Sequence, residues 1–186
     1  VTCPRPSNLV VDEVTESTAN LTWTAGDVET QWEVEYGVEG FVHGEGTSVI
    51  VNENTLNLVG LASATTYNVY VRAICAEGDS SLWLSTTPFT TSCAAYTLPY
   101  FEGFENNTFA PDCWQNYHVS GPGTSLWQRE SYTVHTGTGS AKIPDMSATT
   151  ITNLVSPALV IPQANTCKVS VWVNRNATGT AKQNEG

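Results

Sequence analysis

The sequence predicts an all-β chain of two consecutive domains, and three observations carry that reading. Among 186 residues Thr (26) and Val (20) dominate, while Lys occurs three times and Met once. β-Branched side chains suit a pleated, half-buried surface, and good helix formers are scarce. Apolar and polar residues alternate in short runs broken by turn residues, and no stretch shows helical periodicity with a cap. Charge is uneven: residues 1–93 hold twelve Asp/Glu against two Arg, whereas residues 94–186 hold six acids against five bases. That asymmetry points to two units built for different surroundings. The junction falls in TSCAAYTLPY (91–100), giving domains at 1–92 and 93–186.

The strands of the first half follow a sandwich rhythm, one every 8–15 residues. NLVVDEV (8–14) is the first. TANLTWT (18–24) turns Ala19, Leu21 and Trp23 inward, and QWEVEY (31–36) places Trp32, Val34 and Tyr36 on one face with Glu33 and Glu35 on the other. SVIV (48–51) and TLNLVGL (55–61) follow, then TYNVYVRAIC (66–75) with Tyr67, Val69, Val71 and Ala73 aligned, and SLWLSTTPFTT (81–91) closes the set. In the second half SLWQRE (125–130) reads as a short strand and HTGTGSAKI (135–143) as a Gly-bracketed turn into a strand. TITNLVSPALVIP (150–162) gives two runs broken at Ser156–Pro157, and CKVSVWVNR (167–175) alternates Val169, Val171 and Val173 against Ser170 and Trp172.

A formal charge of −11 disfavours nucleic-acid binding, which needs a basic patch. No apolar run approaches the roughly 20 residues of a membrane helix, so no membrane insertion is expected. The chain starts at Val1 without a signal-like stretch and reads as a mature or trimmed segment. Cys3, Cys75, Cys93, Cys113 and Cys167 show no metal-site spacing. Scattered Cys in small β-domains indicate export and oxidation. The favoured pairing is Cys3–Cys75 in the first domain and Cys93–Cys113 at the start of the second, leaving Cys167 free or bonded outside the chain. Five buried thiols remain the alternative.

No enzyme is expected. GxSxG, HExxH, Walker and dinucleotide-binding motifs are absent, and GTGSA (137–141) has its Ser one place late. His43, His118 and His135 are far apart and read as surface or turn residues. Glu102 and Glu105, three apart, would lie on opposite faces of a strand. Of six Trp, most are assigned to cores; Trp83, beside the GDSS turn, is the best candidate for an exposed ligand-binding aromatic. The sequons at Asn20, Asn106 and Asn176 are incidental in so Asn- and Thr-rich a chain.

LASATTYNVYVRA (61–73) resembles the fibronectin type III signature, in which a Leu six residues before a Tyr builds the tyrosine corner. Leu61 and Tyr67 hold those places, Ser63 and Ala64 stand where Pro and Gly are frequent, Trp23 matches the buried strand-B Trp, and CPRPSNLVV matches the Pro-rich lead into strand A. The resemblance covers residues 1–92 and implies an immunoglobulin-like β-sandwich. No RGD tripeptide is present.

The order FEGFE, PxCW, W, HTGTGSA, LVSPAL, VSVWV in residues 93–186 is similar to cleaved-adhesin and choice-of-anchor J domains, MAM-like jelly rolls found in gingipain-type hemagglutinin–adhesin regions of secreted bacterial proteins. That resemblance implies a structural calcium ion with Glu105 as a candidate ligand and Asp145 as a second. Relatives have eight or more strands, so the second domain is expected to be partial, within a longer multidomain chain. An unpaired edge with exposed apolar surface is then expected at 167–174.

The function these readings imply is a non-catalytic, secreted or cell-surface binding and adhesion module attaching to host protein, extracellular matrix or glycan. The alternatives are an accessory C-terminal segment of a secreted hydrolase (a peptidase) and a ligand-free spacer whose acids keep it soluble.

Overall fold

Strand alternation in the first half is realised almost residue for residue. A computed structural model describes residues 3–86, 88–123, 125–144, 149–163 and 167–173; Asp145, Asn176 and the tail from 174 lie outside them. Contacts divide the chain into two compact units, Val1–Ala94 and Ala95–Gly186. The first contains β1 (Ser7–Asp12), β2 (Thr18–Thr24), β3 (Trp32–Val38), β4 (Thr47–Val51), β5 (Thr55–Val59) and β6 (Thr66–Ala76). One sheet has the order β1-β2-β5; the other runs β4-β3-β6, all pairs antiparallel.

The inward positions of β2, β3 and β6 meet in one core. Ala19, Leu21, Trp23, Trp32, Val34, Leu58, Leu61, Tyr67, Val69, Val71 and Ala73 are all buried. Each large apolar side chain so buried contributes about 1.5–3 kcal/mol relative to exposure. Trp23 and Trp32 meet edge to face with centroids 6.0 Å apart. The Tyr67 hydroxyl accepts the Ala62 N–H at 2.9 Å, which fixes the turn between β5 and β6. Cys3 is bonded to Cys75, tying the start of the chain to the end of β6; Cys93 and Cys113 are each disulfide-bonded, and Cys167 is an exposed free thiol.

The long strand expected over 81–91 is instead three short pieces, β7 (Asp79–Ser80), β8 (Leu84–Ser85) and β9 (Phe89–Thr90), all pairing β6. The cause is local. Buried Ser81 accepts the Ala73 N–H on its hydroxyl at 2.9 Å, a side-chain bond where a ladder bond would stand, and Pro88 has no N–H to offer.

Among the described residues of the second unit there are three two-stranded sheets. β10 (Tyr96–Thr97) runs parallel to β15 (Leu159–Val160), β11 (Gln115–Ser120) antiparallel to β14 (Ile151–Val155), and β12 (Gln128–Glu130) antiparallel to β13 (Ser140–Lys142). The break at Ser156–Pro157 separates β14 from β15 as expected. Two expectations are corrected. Residues 101–114 form no strand, so Glu102 and Glu105 do not flank one. Residues 167–173 also form none; Val169, Val171, Trp172 and Val173 are exposed, Trp172 at 74%, and the Trp172 ring stacks on His135 at 4.0 Å. Trp114 and Trp127 are half-buried rather than core residues. No described helix is long and apolar enough to cross a membrane.

Candidate functional site

The outward positions of β3, β4 and β6 build an ordered polar–aromatic face. Register places Glu33 opposite Ile50 on one side and Arg72 on the other, and Glu35 opposite Ser48 and Tyr70. Pairing of β6 with β8 puts Ser85 opposite Tyr70 and brings Trp83 level with Arg72. The Arg72 guanidinium lies over the Trp83 ring, 4.5 Å from its centroid, a cation–π contact. Arg72 is itself held by Glu33, with Nε donating at 2.7 Å and Nη2 at 2.6 Å to the same oxygen, while the Ser48 hydroxyl donates to the other at 2.6 Å. Burial pushes the Glu33 carboxyl up, yet the Ser48 hydroxyl, Arg72 and His43 together outweigh it and hold Glu33 below the ordinary carboxylate value.

Glu35 is the unexpected residue. Alternation placed it outward with Glu33, and it does point away from the core, yet it is only 3% exposed. The Gly-rich loop between β3 and β4 folds over it. Gly44 and Gly46 donate their N–H groups to Glu35 Oε1 at 2.7 and 2.9 Å, and His43 Nδ1 lies 2.5 Å from Oε2. Gly46 is needed for the close approach: a Cβ there would stand 2.9 Å from Glu35 Cγ and 2.5 Å from the Phe41 ring. The same latch seats His43 against Tyr70 and Trp83, both at 4.7 Å, and Phe41 against Tyr70 at 5.8 Å.

His43 is therefore an anchored loop residue. Its imidazole–carboxylate pair has the form of a general-base dyad, but Tyr70 and Trp83 beside it supply no activated nucleophile of the Ser or Cys kind. Trp83, the predicted ligand aromatic, is half-buried, packed on Arg72 and His43. Ile50, 61% exposed, lies on the same sheet face but on β4, across β3 from Arg72. A fixed indole flanked by an imidazole and a guanidinium can stack on or cover a ligand at little ordering cost. Gly44, Gly46 and the lone His of GFVHGEG (40–46) were the available signal for this loop.

In the second unit Glu105 Oε2 accepts the Thr138 N–H at 2.7 Å and the Thr138 hydroxyl at 2.8 Å. The Thr138 backbone N–H, then its hydroxyl, hold Glu105 below its ordinary value, with Gly139 N–H and the Arg129 charge assisting against slight desolvation. Its carboxylate is taken up by N–H and O–H donors, and the Arg129 guanidinium stands close by, so the residues as they are arranged do not fit a calcium ion. Among the described residues no group of three or more His, Cys, Asp or Glu is placed to hold a metal. Asp145, the second expected ligand, lies outside the described residues.

Residues 4–89 match the fibronectin type III domain family. Among solved structures, the fn3 domain of human collagen alpha-1(XX) is 27% identical, with 50% of this chain and 90% of that one covered and a TM-score of 0.44. The FN1–FN3 domains of chicken CNTN1 are 18% identical, covering 47% of this chain and 30% of that one, TM-score 0.43. The FN5 domain of Drosophila Lar is 15% identical, covering 48% and 96%, TM-score 0.41. Comparison with curated proteins gave no match.

Proposed function

We propose that this chain, whose residues 4–89 form a fibronectin type III domain, is a non-catalytic binding module of a larger secreted or surface protein. Such domains are commonly extracellular binding or spacer modules and generally non-catalytic, and the Cys3–Cys75 bond fits an extracellular protein. The observation that carries the reading is the latched face around Trp83: a buried Glu35 and a three-residue Glu33–Arg72–Trp83 chain hold the aromatic in place. A spacer has no need of such preorganisation. The ligand class is a protein, matrix or glycan surface with apolar and hydrogen-bonding parts. The second domain, in this reading, is a partial adhesin-type jelly roll carried by the same longer chain.

The test is binding of the full chain to a glycan array and to immobilised matrix proteins, repeated with Trp83→Ala. Saturable binding that weakens at least tenfold in the variant supports the reading. Saturable binding indifferent to Trp83 moves the surface elsewhere, and no saturable binding returns the domain to a spacer.

A further inference from the structure

The motif HTGTGSA (135–141) and the segment FEGFE (101–105) are joined by one side chain, Arg129 on β12. Its Nε donates to the Phe104 carbonyl at 2.9 Å, and its Nη2 to the Thr138 carbonyl at 3.0 Å, the Thr138 hydroxyl at 3.2 Å and the Glu105 carbonyl at 3.5 Å. Three backbone carbonyls, a hydroxyl and a neighbouring carboxylate make an oxygen cluster of the kind hard cations use. The guanidinium already stands in it.

The backbone is shaped for this contact. Phe104 has φ +57°, a left-handed conformation rare for a bulky L-residue, and its carbonyl is the acceptor for Nε. Strained conformations persist where surrounding contacts over-determine them. Gly139 is required for the approach, since a Cβ there would collide with that same Phe104 carbonyl and stand 3.0 Å from Arg129 Nη2. Gly137, at φ +73°, leaves the room that the Glu105 carboxylate occupies. Thr138, between the two glycines, gives its N–H and hydroxyl to Glu105 and its carbonyl to Arg129.

We propose that Arg129 is the resident cation of the second unit, a covalently attached guanidinium filling the oxygen cluster that a calcium ion would otherwise hold. It joins Phe104, 25 residues before it in sequence, to Thr138, nine residues after it, and its charge disfavours a divalent ion at the same carbonyls. This inference is independent of the binding role assigned to the first domain.

The experiment has two arms on the full chain. In the first, thermal unfolding and terbium luminescence are measured in millimolar calcium and in excess EDTA. The expected result is a melting profile unmoved by calcium and no Trp-sensitised terbium emission. A calcium-induced rise in melting temperature that Glu105→Ala abolishes overturns the proposal; a rise that survives Glu105→Ala places the ion away from this cluster and upholds it. In the second, amide hydrogen exchange is compared between the parent chain and Arg129→Lys, which keeps the charge but loses the planar fork. Faster exchange at Thr138 by tenfold or more, with the first unit unchanged, is expected; unchanged exchange there overturns it.

Discussion

Replacing Ala64 by Gly should stabilise the fibronectin type III domain. Ala64 has φ +50°, in the left-handed region, at the turn between β5 and β6. Holding an L-residue there costs roughly 1–2 kcal/mol. Its methyl group is exposed, so removing it forfeits no packing. Its N–H donates to the Ser92 carbonyl at 3.2 Å, a bond that Gly retains. Against the relief stands the extra freedom of Gly in the unfolded chain, about 0.4–1 kcal/mol. The balance is a gain of about 1 kcal/mol, which in a domain of this size raises the melting temperature by roughly 4–8 °C. Calorimetry of the full chain reads it, the first unit's transition being the one that should move. Gly60, φ +73° with no heavy atom within 4 Å of an added Cβ, supplies the mirror test: Gly60→Ala should lower the same transition through backbone conformation alone. A lowered transition in Ala64→Gly, or a raised one in Gly60→Ala, would refute the assignment of backbone strain at this corner.

Glu35→Ala removes the acceptor of two backbone N–H groups and of His43; a loss of about 1–3 kcal/mol is expected, with a changed Trp83 environment visible in fluorescence, and an unaltered spectrum would mean the loop stays seated without its latch. Cys75→Ser opens a bond between residues 72 apart and should cost about 4 kcal/mol on the chain-entropy account, read as a drop in urea midpoint that the parent chain shows only under reductant. Glu33 titrates below its unfolded value of roughly 4.3, so its contribution is present above that value and is lost as pH falls through the lower folded one; acid unfolding followed by circular dichroism should be less steep in Glu33→Gln. Val171→Lys charges an exposed apolar run and should reduce self-association in sedimentation velocity, whereas an unchanged profile would show that 167–173 takes no part in it.

The two halves differ in how much of them the sequence discloses, and the reason is physical. In the first, strands of five to eleven residues each bury one face, so period-2 alternation reports burial directly, and Leu21, Val34, Val69 and Val71 fall where it puts them. The Leu61–Tyr67 corner and the Cys3–Cys75 bond are likewise readable, because each rests on residue types that do one thing. Glu35 escapes the same logic. Alternation assigns a side chain to a sheet face, but a loop can cover that face, and here glycines at 44 and 46 let backbone N–H groups replace water around a carboxylate. The second half inverts the lesson. Val169, Val171 and Val173 alternate as regularly as any run in the chain, yet all three are exposed at 75% or more in a segment that forms no strand. Alternation states which surface a strand would bury; a partner must supply the burial. Where short elements are joined instead through Arg129, Thr138 and Glu105, the determining pattern is a set of single side chains far apart in sequence, to which periodicity is blind.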